Sequence, residues 1–431
     1  MKKIFKQLAV VLIFALLLTA CGNGMTAMGE DLSPEHYTAL GDSIATGYGV
    51  AKEDSYTELF YNYLKTDRGF SSLEYANLAV NGDDSTGLLN KLKTDERLIK
   101  SVKESDIITI SIGGNNILQP IIQAVGQALN IDVSAPDYAS QIQDVLSSNP
   151  ESVEAVAGML ILGNLPKYLN EGISRFENEW PEIINTVRSL APEADIFVMN
   201  IYNPLSKDDV LYNLFDTYIQ KINTVINKPS PNYRTADVYN AFNEYNEDEA
   251  LTKFNILKGS FDPHPTEAGH IVVFNSYRKA YEEKEKHVSH KLKRGEAVSI
   301  LVKELELKAD FTDNFKDVQK SSTYYEAVGI ARKLGIVAGK GQNKFYPEDY
   351  LTREEAMVIF EKTMIATGKS LFRGSPQDLS DLDDASSVSS YAKESIASLY
   401  KSGIVSFGKN KIYPKEKMSY YDFMNIIYNM P

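Results

Sequence analysis

Between residue 36 and about residue 288, short apolar segments alternate with longer helical patterns. The short segments predict five strands, at 37–40, 75–79, 107–112, 196–200 and about 234–238. The run at 107–112, Ile-Ile-Thr-Ile-Ser-Ile, is almost continuously apolar, which is typical of a strand buried on both faces of a parallel sheet. With helices between the strands, the pattern predicts a doubly wound α/β architecture, whose functional sites form at the carboxyl ends of strands.

Residues from Ile117 to about Leu190 form a long and largely helical stretch. Within it, the segment Val153–Leu165 is more apolar than a surface helix requires. Extra core packing accounts for such a segment, and a lid or acyl-chain groove is the alternative. The charged segment 279–286 predicts the helix that closes this domain.

The first residues have the pattern of an export signal. Lys2, Lys3 and Lys6 precede an apolar run from residue 8 to 20, which is too short to span a bilayer comfortably. The run ends in Leu-Thr-Ala-Cys, which resembles a bacterial lipobox and implies lipidation of Cys21. The alternative is a plain cleaved signal with an incidental cysteine. We therefore expect a lipoprotein signal peptide at 1–20 and a small, polar tether at 21–34.

Charge and cysteine content narrow the class of protein. Without the three signal lysines, the chain has 42 basic and 58 acidic side chains, a net charge of −16. This balance argues against a nucleic-acid partner. A single cysteine excludes an internal disulfide, so the exported fold depends on its core for stability.

The C-terminal part of the chain contains repeats. Gly-Ile-Val, Lys-x-Tyr-Pro and a helix-start element occur at 335–337, 344–347 and 351–356, and again at 403–405, 411–414 and 418–423. A third copy of the helix-start element lies at 292–297. Self-similarity of this kind indicates helical units that share one core.

These repeats resemble S-layer homology (SLH) repeats, with a partial copy at 288–308 and further copies at about 311–368 and 378–431. The resemblance implies an all-α module that binds the secondary cell-wall polysaccharide of Gram-positive-type bacteria. Arg294 and Arg353 match the family's groove-lining arginine, and a guanidinium suits an anionic sugar. Tyr420 takes the arginine's place in the last copy. A purely structural role for both arginines is the alternative.

A candidate nucleophile follows the first predicted strand, in the turn Gly41-Asp42-Ser43. A serine on a glycine-marked strand-to-helix turn is where acyl-transfer enzymes often display their nucleophile, although the same residues also form ordinary N-cap turns. Three other segments supply partners: 77–82 (Asn-Leu-Ala-Val-Asn-Gly), 111–116 (Ser-Ile-Gly-Gly-Asn-Asn) and 262–265 (Asp-Pro-His-Pro). His264 is the candidate base for Ser43, and Asp262 would fix its tautomer.

Together, the four segments resemble the blocks of the GDSL/SGNH hydrolase family and occur in the family's order, over residues 36–287. The resemblance implies a flavodoxin-like three-layer α/β/α fold and a lysophospholipase-like serine esterase or lipase without metal or cofactor. It also implies an oxyanion hole formed by the backbone N–H groups of Ser43 and Gly82 and the side-chain amide of Asn115. Taken singly, Gly82 could be only a turn and Asn115 only a helix cap.

Two positions depart from the family pattern. Phe261 occupies the place where the family usually has its aspartate, three residues before the histidine, and Asp262 lies only two before. Asn116 stands where the family often has aspartate. The other histidine nearby, His270, falls within a helical pattern and is interpreted as a packing or surface residue, and its spacing from His264 disfavours a metal site.

The sequence therefore predicts an extracytoplasmic serine esterase with a hydrolase domain at 35–287, held at the membrane by lipid and at the wall by the module at 288–431. Its substrate would be an acyl lipid such as a lysophospholipid, or an O-acetyl group on a wall glycan. Two alternatives remain: an inactive wall-organising protein, and an O-acyltransferase that uses the same residues.

Overall fold

The computed structural model describes residues 34–133, 165–209, 211–254, 262–407 and 410–431, with isolated positions between 135 and 148. The predicted signal peptide, the predicted tether up to residue 33 with Cys21, and nearly all of the apolar segment 153–165 lie outside the described residues. None of the described helices combines the length and apolar character needed to cross a membrane.

The described part of the hydrolase region is built on a five-stranded parallel sheet with the order β2-β1-β3-β4-β5. The strands are β1 (His36–Gly41), β2 (Glu74–Asn77), β3 (Ile107–Ser111), β4 (Asp195–Met199) and β5 (Arg234–Ala236). All five lie where the apolar segments predicted them, and the predicted α/β fold class is confirmed.

Alternate residues of the strands face two separate apolar layers. On β4, Phe197 and Met199 pack into one cluster, whereas Ile196 and Val198 pack into the other. Both faces of the sheet are therefore covered, which explains why a central strand such as β4, Asp-Ile-Phe-Val-Met, is almost continuously apolar.

Helices flank the sheet, and a further set follows it. The helices are α1 (Ser43–Thr46), α2 (Tyr56–Asn62), α3 (Ser85–Thr94), α4 (Glu96–Glu104), α5 (Gly114–Leu129), α6 (Leu165–Leu190), α7 (Tyr212–Ile226), α8 (Val238–Glu244), α9 (Glu267–Ser289), α10 (Arg294–Glu304), α11 (Tyr325–Lys333), α12 (Arg353–Ala366), α13 (Lys393–Lys401) and α14 (Tyr420–Asn429). Helices α2 and α9 share one face of the sheet. Helices α3 to α7 share the other face.

The C-terminal repeats close into a ring around their own apolar core. The Leu292 N–H donates to the Met418 carbonyl (2.9 Å), the Met418 N–H to the Leu351 carbonyl (2.7 Å), and the Leu351 N–H to the Leu292 carbonyl (2.9 Å). These three residues hold the same position in successive repeats, and all are fully buried. The three hydrogen bonds therefore give the module an approximate threefold arrangement.

Helix α9 supplies the packing partner that the incomplete first repeat lacks. Helices α10 and α12 pack against α11 and α13 respectively, whereas α14 packs against the end of α9. There the Tyr420 ring stacks on His290 and contacts His287, at centroid distances of 5.8 and 4.8 Å, and its N–H donates to the His290 carbonyl. The predicted domain boundary between residues 287 and 288 thus falls inside α9, which packs against both the sheet and the repeat module.

Candidate active site

The turn after β1 holds Ser43 at the carboxyl edge of the sheet. Gly41 has φ +141°, and a Cβ there would lie 2.1 Å from the Ser111 carbonyl oxygen on β3, so the close approach of the two strands requires glycine. Asp42 caps the one-turn helix α1, because its carboxylate accepts from the Ile44 N–H at 3.0 Å. Ser43 is thereby presented, half-buried, as the first residue of α1.

His264 joins Ser43 to Asp262. Its Nε2 lies 2.8 Å from the Ser43 Oγ, and its Nδ1 lies 2.5 Å from Asp262 Oδ1. The same carboxylate oxygen accepts from the His264 backbone N–H at 3.1 Å. These hydrogen bonds from His264 lower the pKa of Asp262, which keeps the carboxylate ionised as an acceptor for Nδ1–H.

The segment that carries His264 is fixed from several directions. The Tyr202 hydroxyl donates to the Pro263 carbonyl at 2.8 Å. Thr266 caps α9 and also donates its hydroxyl to the Ala250 carbonyl at 2.6 Å. The imidazole is therefore oriented by the backbone as well as by Asp262.

Asn115 and Gly82 lie at the same edge of the sheet. Asn115 follows β3, is buried, lines a cavity together with Ser43 and His264, and donates from Nδ2 to the Asp83 carbonyl at 2.8 Å. Gly82 adopts φ +80°, and its carbonyl accepts from the Gln119 side chain. The structure brings all four predicted segments to one edge, whereas the oxyanion roles of these groups stay predictions.

The side-chain amide of Asn116 makes hydrogen bonds that link neighbouring helices. Its Oδ1 accepts from the Ser85 N–H, and its Nδ2 donates to the Ser85 hydroxyl and the Gly172 carbonyl. A Cβ on Gly172 would lie 2.0 Å from the Asn116 carbonyl oxygen, so α5 and α6 approach closely at this point. The amide that departs from the family pattern ties α5 to α3 and α6.

Two ionisable groups near the site are buried. Burial raises the pKa of Asp42 to about 7, although its hydrogen bonds with Ile44 and Ser111 oppose the shift. Burial lowers the pKa of His270 to about 4, so this imidazole is neutral at neutral pH. His270 lies on the buried face of α9, and its Nδ1 accepts from the Tyr56 N–H.

An apolar cavity of about 80 Å³ opens beside Ser43 and His264. Apolar side chains from α5, α7 and nearby loops line most of it: Ile117, Leu118, Ile121, Ile201, Phe215, Ile219 and Phe254. Sequence reasoning missed this cavity and considered an acyl groove at 153–165 instead. The apolar faces of α5 and α7 were visible in the sequence, but their convergence on Ser43 depends on tertiary packing.

Arg294 and Arg353 occupy equivalent positions in two repeats. The Nε of each donates to a carbonyl of the next repeat, Phe345 at 3.0 Å and Ile412 at 2.9 Å respectively. Each guanidinium also pairs with an acid in the next repeat's helix start, Arg294 with Glu355 and Arg353 with Asp422. The Arg294 side chain is 6% exposed and that of Arg353 18%, so Arg353 is the more accessible of the two.

A serine hydroxyl 2.8 Å from an imidazole nitrogen, at the carboxyl edge of a parallel sheet covered by helices, is an arrangement suited to nucleophilic acyl transfer. The chain belongs to the GDSL-like lipase/acylhydrolase family, whose model matches residues 37–276. It also carries two S-layer homology domains, at 314–357 and 381–424, which lie within the second and third predicted repeats and indicate association with the cell surface.

Two curated relatives match different lengths of the chain. The surface-layer 125 kDa protein of Lysinibacillus sphaericus is 32% identical over 136 residues, which make up 31% of this chain and 11% of that protein. The uncharacterised protein YpmR of Bacillus subtilis (strain 168) is 22% identical over 266 residues, 60% of this chain and 89% of that protein. Thus the chain spans about a tenth of the first relative and most of the second.

Among solved structures, the lipase Lip_vut3 from a goat rumen metagenome matches 57% of this chain and 96% of its own, with a TM-score of 0.39 and 17% identity.

Proposed function

We propose that the protein hydrolyses acyl esters at the cell envelope through Ser43, His264 and Asp262. The observation that carries this proposal is the 2.8 Å contact between Ser43 Oγ and His264 Nε2, with Asp262 on the opposite nitrogen. A serine hydroxyl is a weak nucleophile until a base removes its proton, and this contact supplies the base. It favours an active enzyme over the inactive wall-organising alternative.

In this mechanism, Ser43 Oγ attacks the ester carbonyl while its proton passes to His264 Nε2. The oxyanion would be stabilised by the backbone N–H groups of Ser43 and Gly82 and by the Asn115 amide. His264 then gives the proton to the leaving alcohol, and an acyl group remains on Ser43. Water, activated by the same imidazole, releases the acid and restores the serine.

The apolar cavity beside Ser43 favours an aliphatic acyl chain over acetyl. A buried methylene group contributes about 0.8 kcal/mol when it leaves water, so several buried carbons would raise kcat/KM substantially. An acetyl group would leave most of the lining from α5 and α7 without contact. We therefore propose esters of aliphatic chains as substrates.

Leu118→Trp should shorten the preferred acyl chain. Leu118 is a half-buried residue of the cavity lining, and an indole in its place would occupy space that the chain needs. The octanoyl-to-acetyl ratio of kcat/KM for p-nitrophenyl esters is expected to fall by about 10- to 100-fold.

The matched control is Gln123→Trp, which places the same indole at an exposed position on the opposite side of α5 from the lining and should leave the ratio within about twofold. An unchanged ratio in Leu118→Trp would place the acyl chain elsewhere.

We further propose that the protein is held at the envelope by two anchors. A lipid on Cys21 would hold the chain at the membrane, as its lipobox-like context suggests. The repeat module would bind the secondary wall polysaccharide, with Arg353 as a donor to an anionic sugar, since its accessibility exceeds that of Arg294.

Arg353→Gln is expected to raise the apparent Kd of the full mature chain for purified walls, measured by co-sedimentation, by at least about tenfold. The reason is the loss of a charge-assisted contact to the polymer. The control is Asp422→Asn, which removes the arginine's partner in the next repeat but keeps the guanidinium. If both variants lose binding equally, Arg353 serves to join repeats and the proposed sugar contact is wrong.

A further inference from the structure

Tyr48 is an exposed aromatic residue placed directly against the candidate catalytic imidazole. Its ring centroid lies 4.5 Å from that of His264, at an interplanar angle of 44°, and the side chain is 52% exposed. The residue sits between Gly47 (φ +77°) and Gly49 (φ +91°), and its N–H donates to the Ser43 carbonyl at 3.0 Å. The backbone thus turns sharply on both sides of Tyr48 and presents its ring at the mouth of the site.

Tyr48 lies on the side of the site where the alcohol half of a bound ester would be placed. In the proposed mechanism, His264 Nε2 delivers a proton to the leaving oxygen, so the alcohol must lie beside the imidazole. The acyl half has its own place, because the apolar cavity opens from Ser43 towards α5 and α7 and Tyr48 is not part of its described lining. The exposed ring of Tyr48 therefore lies where it can contact the alcohol half of the ester.

Charge at this mouth favours a neutral alcohol. The Asp262 side chain is 45% exposed beside His264, and it is ionised because hydrogen bonds from His264, with a smaller contribution from the charge of Lys253, lower its pKa. A phosphate-bearing headgroup would meet this carboxylate on a chain that already has a large negative charge. A sugar ring carries no such penalty: its C–H face stacks on an aromatic ring, and its hydroxyls remain in water.

We propose that Tyr48 is a specificity-determining residue that stacks on the sugar ring of an acylated sugar, with the acyl chain seated in the α5–α7 cavity. This inference rests on the proposed esterase function and adds the chemistry of the alcohol. The wall module is consistent with it, since a protein held on a glycan meets acylated sugars at high local concentration.

The test compares two esters with the same acyl chain, 6-O-octanoylglucose and 1-octanoylglycerol, in the wild type, Tyr48→Ala and Tyr48→Phe. In Tyr48→Ala, the glucose-to-glycerol ratio of kcat/KM should fall by about 3- to 12-fold, mainly through KM for the sugar ester. Tyr48→Phe keeps the ring and should restore most of the ratio.

Three results would overturn the inference. An unchanged ratio in Tyr48→Ala means that the ring does not contact the sugar. An equal loss of kcat on both esters means that Tyr48 only braces His264. A wild type that hydrolyses neither ester and takes no label from a fluorophosphonate removes the esterase function itself, which separates that failure from a failure at Tyr48.

Discussion

Ser43→Ala is expected to lower kcat/KM for ester hydrolysis by about 10⁴- to 10⁶-fold while the fold stays intact. The hydroxyl is the only group of this side chain that can form the acyl-enzyme, and catalysis that remains after its loss comes from binding and the oxyanion donors alone. The measurement is hydrolysis of p-nitrophenyl octanoate, together with mass-spectrometric assignment of a fluorophosphonate adduct to Ser43.

The fold of the variant can be followed separately. Trp180 is the chain's single tryptophan and is buried in a stack with Phe176 on α6, so its fluorescence reports on the hydrolase part. Ser206→Ala, at an exposed serine, is the matched control and should keep full activity. Substantial activity in Ser43→Ala, or labelling of a different serine, would show that the proposed nucleophile is wrong.

Asp262→Asn is expected to reduce kcat by about 10²- to 10⁴-fold with little change in KM. An amide cannot hold the Nδ1–H tautomer as a carboxylate does, nor stabilise the imidazolium that forms during the reaction. The Asp262 side chain is about half-exposed, so water can replace part of its contact, which favours the lower end of that range.

Glu267→Gln is a suitable control for this variant. Glu267 is an exposed acid in the first turn of α9, close in sequence to His264 but without a hydrogen bond to the imidazole among the described contacts. The expected result is a pH–rate profile like that of the wild type. A loss below about threefold in Asp262→Asn would mean that the acid does not orient His264, in spite of the 2.5 Å contact.

The strands and the edge that gathers the site could be predicted because both depend on local sequence. A run such as 107–112 has few ways to bury its side chains other than as an inner strand, and parallel strands bring their carboxyl ends together. The structure also places Asp262 against His264, although its spacing of two residues departs from the family pattern.

Other features could not be predicted, because they arise from contacts between distant segments. The cavity depends on how α5 and α7 rotate towards Ser43, which periodicity alone does not give. Arg294 and Arg353 stood out as candidate ligand donors, but their contacts with Glu355 and Asp422 depend on repeats packing in a ring. Tyr48 carried a sequence signal in its two flanking glycines, but only the fold shows that its ring reaches His264.

Helix α9 has a consequence for where esters can be cut. It begins at Glu267, three residues after His264, and its other end packs against Tyr420 of the repeat module. Its 23 residues span about 34 Å, and its packing at both ends leaves no flexible linker between them. A molecule bound to the wall through its repeats would therefore hold Ser43 and His264 in a fixed orientation relative to the repeat module, so only esters within reach of that fixed position could be hydrolysed.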